Sequence, residues 1–178
     1  QDLGQVTASA SFDFDLCFDG LGQAIAAVAD FTNAVTLHAY DGEGWPASSP
    51  PFPTGSSLIL KADPGGNPVL LALDGEALVA ARWETDGWTD LGSPPLSGLT
   101  QVLDLAFDSG GRLWVAVMHN SNALLLRHDD TTGWESLGAI GKPRDQALSM
   151  TVGSDDVPVV VFGEEALGQR AQLLKYAR

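Results

Sequence analysis

Asp108-Ser109-Gly110-Gly111-Arg112-Leu113-Trp114-Val115 is the stretch on which the reading of this chain turns. Asp followed by Ser and two glycines is a turn, because Asp bonds its own backbone and Gly takes positive φ without a steric penalty. The apolar run that follows, Leu113 to Met118, has the length and the Val content of a strand. The same turn stands at Phe18-Asp19-Gly20-Leu21-Gly22 and at Ala62-Asp63-Pro64-Gly65-Gly66, and in degenerate form at Val152-Gly153-Ser154-Asp155-Asp156. The column Asp19, Asp63, Asp108, Gly153 is spaced by 44, 45 and 45 residues. A second marker, Gly-Trp, recurs at Gly44-Trp45, Gly87-Trp88 and Gly133-Trp134, followed in two copies by Leu91-Gly92 and Leu137-Gly138. Self-similarity at one fixed period is the mark of a repeat architecture.

Each repeat carries short extended segments bounded by Asp, Ser and Gly. The first copy gives Phe12 to Phe18, Ala24 to Ala29, Val35 to Tyr40 and a piece after Trp45. The second gives Leu58 to Ala62, Val69 to Leu73, Ala77 to Trp83 and Trp88 to Leu91. The third gives Val102 to Phe107, Leu113 to Met118, Ala123 to His128 and Trp134 to Leu137. The fourth gives Leu148 to Val152, Val159 to Phe162 and Gln172 to Tyr176, and then stops. Its fourth strand is expected at the other end of the chain: Gln1-Asp2-Leu3-Gly4 matches Thr89-Asp90-Leu91-Gly92, and Leu137 to Leu3, counted around a closed ring, is one repeat of 44. No long segment has the period of a helix.

Four-stranded units repeated every forty-odd residues are the pattern of propeller blades. Second strands such as Val69 to Leu73 are apolar on both faces and must be covered on both, which blade-on-blade packing does. The Asp108 to Val115 segment resembles the Asp-x-x-Gly-x-Leu-Trp-Val repeat of sensor-type β-propellers, and Gly-Trp-x-x-Leu-Gly resembles repeats of secreted bacterial propellers. The first copy lacks the Leu-Gly tail, with Ser48 where Leu would stand, and the fourth lacks the Asp. The resemblance implies an all-β chain of four antiparallel blades. Their bounds fall at about 10–50, 56–93, 100–139 and 146–178, the last completed by residues 1–5. Three arrangements fit: a closed four-bladed ring, which the wrap-around favours; part of a larger propeller; or self-association through the N-terminal strand.

Composition narrows the function. With 9 Lys+Arg against 23 Asp+Glu the net charge is −14, which argues against nucleic acid or an anionic membrane as the partner. No apolar run reaches the roughly eighteen residues of a membrane-spanning helix. A single cysteine, Cys17, leaves no internal disulfide and no Cys-based zinc site. Cys17 reads as an inert buried thiol, with an intermolecular disulfide as the alternative. Few Lys, an acidic balance and a start at Gln1 instead of Met fit a secreted or cell-surface protein, or one whose start has been trimmed.

Two groups of residues carry candidate chemistry. Tyr40, Trp83, His128 and Tyr176 share a column at the end of the third strands, where aromatic faces can stack on sugar rings or pack blade against blade. Asp15 and Asp104 share a column in the first strands, which line the channel of a propeller. There they could hold Ca²⁺, or simply be solvated at the channel mouth. The chain lacks a nucleophile elbow, a His-Glu-x-x-His pair and a phosphate loop, and its arginines are scattered. The expectation is therefore not an enzyme but an extracellular binding or assembly scaffold for protein or glycan, with a carbohydrate-binding propeller as the alternative and a hydrolase or lyase as the distant one. No cofactor is expected beyond the channel Ca²⁺.

Overall fold

The computed structural model describes residues 4–7, 11–85, 87–164 and 171–175. Its strands are β1 (Ser11–Phe18), β2 (Ala24–Asp30), β3 (Val35–Ala39), β4 (Ala47–Ser48), β5 (Ser56–Ala62), β6 (Pro68–Asp74), β7 (Ala77–Glu84), β8 (Gly87–Asp90), β9 (Leu99–Phe107), β10 (Leu113–His119), β11 (Asn122–Asp129), β12 (Gly133–Gly141), β13 (Pro143–Val152), β14 (Pro158–Glu164) and β15 (Ala171–Lys175). They form four antiparallel sheets in simple up-and-down order: β1-β2-β3-β4, β5-β6-β7-β8, β9-β10-β11-β12 and β13-β14-β15. These are the four repeats, and no helix occurs among the described residues. The chain divides into two compact units, Gln1–Leu91 with the first two sheets and Gly92–Arg178 with the last two.

The recurring turn builds the hairpin between the first two strands of each sheet. The Asp19 carboxylate accepts the N–H groups of Leu21 and Gln23, and Asp108 accepts those of Gly110 and Arg112. The glycine three positions on donates to the Asp carbonyl in all three full copies. Gly22, Gly66 and Gly111 have φ of +81, +84 and +81°, the left-handed region that a residue with a Cβ enters only at a cost. In the degenerate copy the backbone bond survives, Asp156 N–H to Gly153 C=O, and Asp156 itself takes φ 58°.

Each unit has its own core. In the first, Leu58 and Leu60 of β5 and Leu70 and Ala72 of β6 pack against Cys17, Ala27, Ala29, Val35 and Leu37. In the second, Met150, Val160 and Phe162 pack against Trp114, Ala116 and Leu125. The faces match: the second sheet of each unit seats the alternating apolar residues of its first strand on the first sheet. Acidic side chains stitch the same joints. Leu58 and Leu60 donate their N–H groups to Asp13 and Asp15 at 2.7 and 2.8 Å, and Met150 donates to Asp104 at 2.7 Å.

Of the expected closing strand, residues 1–5, the first three lie outside the described residues, as does Tyr176, and Gly4 and Gln5 belong to no strand. The last sheet has three described strands. Strand bounds otherwise sit within a few residues of the periodicity. The chief differences are the fourth strand of the third sheet, which runs on through two irregularities to Gly141, and the first strand of the last sheet, which begins at Pro143 and not at Leu148.

Candidate functional site

The first unit carries a cleft where the second sheet meets the first. Trp83 and Trp88 stand directly opposite each other across β7 and β8, their rings 5.5 Å apart and edge to face. Their position follows from the turn that opens β8, where Gly87 takes φ +138° and delivers Trp88 back onto the sheet. Trp88 is half-buried against the first unit's core, while Trp83 remains 44% exposed.

Three adjoining hollows surround this pair. The innermost, about 130 Å³, has an apolar floor of Ile25, Leu37, Ala39 and the two indoles, with Asp19, Gln23 and Ser48 at its edge. A second, about 320 Å³, opens between the two Asp-Gly turns and the Trp83–Thr85 segment. A third, about 460 Å³, lies over Glu84, Thr85, Trp88 and Thr89. The polar groups at the rim are already oriented. Asp19 is fixed by the Leu21 and Gln23 N–H groups, the Gln23 amide donates to the Tyr40 carbonyl at 3.2 Å, and the Thr89 hydroxyl donates to Glu84 at 3.0 Å. An indole face beside carboxylate and amide oxygens matches a ligand with one apolar face and a ring of hydroxyls.

The described members of the aromatic column form pairs, each with the Trp of the Gly-Trp marker that follows it. Tyr40 lies 5.2 Å from Trp45 and gives its hydroxyl proton to the Gly42 carbonyl at 3.0 Å. His128 lies 5.0 Å from Trp134, is buried, and has Asp130 at 3.7 Å. Trp134 is tied by its indole N–H to the Gly92 carbonyl at 3.2 Å. Among the described members of this column, Trp83 is the one that offers an open ring face. Trp88, Asp19 and Glu84 complete the cleft; of these, the Gly-Trp marker had signalled Trp88 alone.

Asp15 and Asp104 each hold two backbone groups. Asp15 accepts the N–H of Leu16 and of Leu60, both at 2.8 Å. Asp104 accepts the N–H of Leu105 at 2.8 Å and of Met150 at 2.7 Å, with the Ser149 hydroxyl at 3.4 Å. Those carboxylates serve the joints between sheets, and Asp13, one turn of the pleat away, does the same for Leu58. No group of three or more His, Cys, Asp or Glu is placed to hold a metal ion among the described residues.

Comparison with solved structures bears on the fold. The chain resembles a mutant Aleuria aurantia lectin in complex with Fucalpha1-6GlcNAc, with a TM-score of 0.64 and 13% identity over 97% of this chain and 60% of that one. The same lectin is described as a six-bladed β-propeller with a novel fucose recognition mode. Virginiamycin B lyase from Staphylococcus aureus matches with a TM-score of 0.54 and 14% identity, over 92% of this chain and 55% of that one. No protein-family model matches the chain. No curated protein sequence matches it either. The chain has the antiparallel sheets of a β-propeller. It spans about 60% of the length of the lectins it matches, whose blades number six.

Proposed function

We propose that this protein is a carbohydrate-binding β-propeller module, with the cleft of Trp83 and Trp88 as its sugar site. The observation that carries the reading is the exposed Trp83 ring beside an apolar floor with fixed carboxylate and amide groups at its edge. A sugar ring laid on that indole exchanges bulky apolar contact for little conformational entropy, and its hydroxyls meet acceptors already in place. The acidic rim favours neutral sugars, because a uronate or sialate would bring its charge up to Asp19 and Glu84. Binding, and no turnover, is assigned to the site, in an extracellular setting.

The likeness to fucose-binding lectins supports the choice of first probe, Fucalpha1-6GlcNAc, within a wider glycan array. Intrinsic tryptophan fluorescence should shift on titration, and Trp83→Ala should abolish the shift without lowering the melting temperature by more than a few degrees. An array with no positive glycan, or binding untouched by Trp83→Ala, overturns the assignment.

A further inference from the structure

The innermost hollow of the first unit is open because three register positions there carry small side chains. Six residues past the turn Asp stand Ile25 in the first sheet and Trp114 in the third, and directly opposite them, on the next strand, stand Ala39 and Arg127. Three residues past the marker Trp stand Ser48 and Leu137. In the third sheet these positions are filled: the Arg127 guanidinium lies 5.5 Å over the Trp114 ring, and Leu137 packs against the second unit's core. In the first sheet Ile25, Ala39 and Ser48 instead line the hollow of about 130 Å³. The Ser48 hydroxyl reaches the Leu37 carbonyl only at 3.5 Å, a long and weak bond that it can give up. A joint left to packing alone is filled. Here the repeat keeps its strands and turns but shrinks three neighbouring side chains under two tryptophans, which makes room for part of a ligand.

The lining of the hollow says which part. Its floor is apolar, and Asp19, Gln23 and Ser48 stand at its edge. A bare methyl group would use the floor alone, and a hydroxyl the edge alone. An acetamido group uses both. Its methyl meets the floor, and its N–H meets the Asp19 carboxylate, which two backbone N–H groups already hold in place. Its carbonyl meets the Ser48 hydroxyl or the remaining N–H of the Gln23 amide, whose other N–H is held by the Tyr40 carbonyl. We infer that the innermost hollow takes the acetamido group of a neutral N-acetylated sugar, and that Ser48 sets this specificity by leaving the hollow open. The inference rests on the reading of the cleft as a sugar site: the Trp83 face holds the ring, and the hollow chooses among rings.

Tryptophan fluorescence titrations of the 178-residue chain with N-acetylglucosamine, N-acetylgalactosamine, glucose, galactose and fucose test it. The two acetamido sugars should bind about tenfold more tightly, or better, than glucose and galactose, which leave the floor and the edge groups unmet. Ser48→Leu should erase that advantage and leave one weaker affinity common to all five sugars. Its melting temperature should be no lower than the parent's, since Leu holds this position in the second and third sheets. Ser48→Ala removes the hydroxyl but leaves the hollow open, and should keep most of the advantage. Equal affinity for acetamido sugars and their parents, a preference for fucose over N-acetylglucosamine, or an acetamido preference that survives Ser48→Leu overturns the inference. In those cases binding that Trp83→Ala still abolishes leaves the sugar site standing. A Ser48→Leu chain that melts more than a few degrees below the parent also overturns it, because the position then has no room to fill. If the parent responds to no sugar at all, the sugar site falls, and the inference with it.

Discussion

The two units make the same joint by different means. In the first, the sheets come close enough for backbone to touch backbone: the Gly20 N–H donates to the Gly66 carbonyl at 2.7 Å, and a Cβ on Gly66 would run into the Gly20 backbone. The first sheet's residues beneath Leu58 and Leu60 are small, with Cys17, Ala27 and Ala29 at the centre. In the second unit Trp114, Met150 and Phe162 fill the joint. There the turns are bridged by a side chain, with Ser109 giving its N–H and hydroxyl protons to the Asp156 carboxylate at 2.8 and 2.9 Å. The acidic stitch differs as well. The first unit uses both Asp13 and Asp15, whereas Val102 stands in the Asp13 column of the second and Asp104 acts with Ser149. One repeat thus tolerates different spacings, provided each buried N–H at the joint finds an acceptor.

The largest contrast is expected at glycine. Gly66→Ala puts a Cβ into fixed backbone at φ +84°, and should cost about 3 kcal/mol: about 1 for a left-handed alanine and about 2 for overpacking. Gly111→Ala, at nearly the same φ but with open space around it, should cost only the left-handed part, about 1 kcal/mol. Urea unfolding of the two variants reads the difference. Equal losses would mean that the close approach in the first unit stores nothing.

Asp15 and Asp104 come next. Each removes an acceptor from a backbone N–H at a joint, so Asp15→Ala and Asp104→Ala should each cost about 1–3 kcal/mol. Asp15→Ala should be the milder, because Asp13 still holds the neighbouring Leu58 N–H, while Asp104 has no acidic companion in its strand. Calcium is a second arm of the same experiment. If the carboxylates serve the joints alone, the parent's melting temperature is the same in calcium and in EDTA.

These residues also mark how far the sequence could be read. The turns, the Gly-Trp marker and the four sets of strands were legible because alternation and spacing are properties of one chain read along its length. The role of Asp13, Asp15 and Asp104 was not, although their partners lie 45 or 46 residues on, one repeat away. An acid inside an apolar strand reads as solvated, because the alternation says which side a residue faces and not which neighbour waits there. The aromatic column was found for the same reason that its exposures were missed. Tyr40, Trp83 and His128 share a register position, but the open face at Trp83 and the burial of His128 depend on what packs around each.

A smaller effect separates strain from bonding at Asp156. Asp156→Ala loses both bonds from Ser109 and keeps a Cβ at φ 58°, at about 1 kcal/mol. Asp156→Gly loses the same bonds but relieves a left-handed side chain worth about 1 kcal/mol, so its stability should match the parent's. If both variants unfold at the same urea concentration, the backbone conformation there is not a source of strain.

The smallest effect belongs to Cys17, and it is confined to the first unit because Ala106 fills that column in the second. Burial pushes the Cys17 thiol up from 9.0 to about 12, with the charges of Asp15 and Asp19 adding to the shift. The folded chain therefore disfavours the thiolate that the unfolded chain forms freely. This part of the stability is whole below pH 9.0 and is lost as the pH climbs from there toward about 12. Cys17→Ala should flatten that alkaline decline without changing the curve at neutral pH beyond a small packing loss. Alkylation of the parent should be slow at pH 8 and should follow unfolding in denaturant, since the nucleophile is the thiolate. Fast alkylation in the folded state would show that the joint between the first two sheets opens readily, and would place the looser of the two joints in the unit with the smaller side chains.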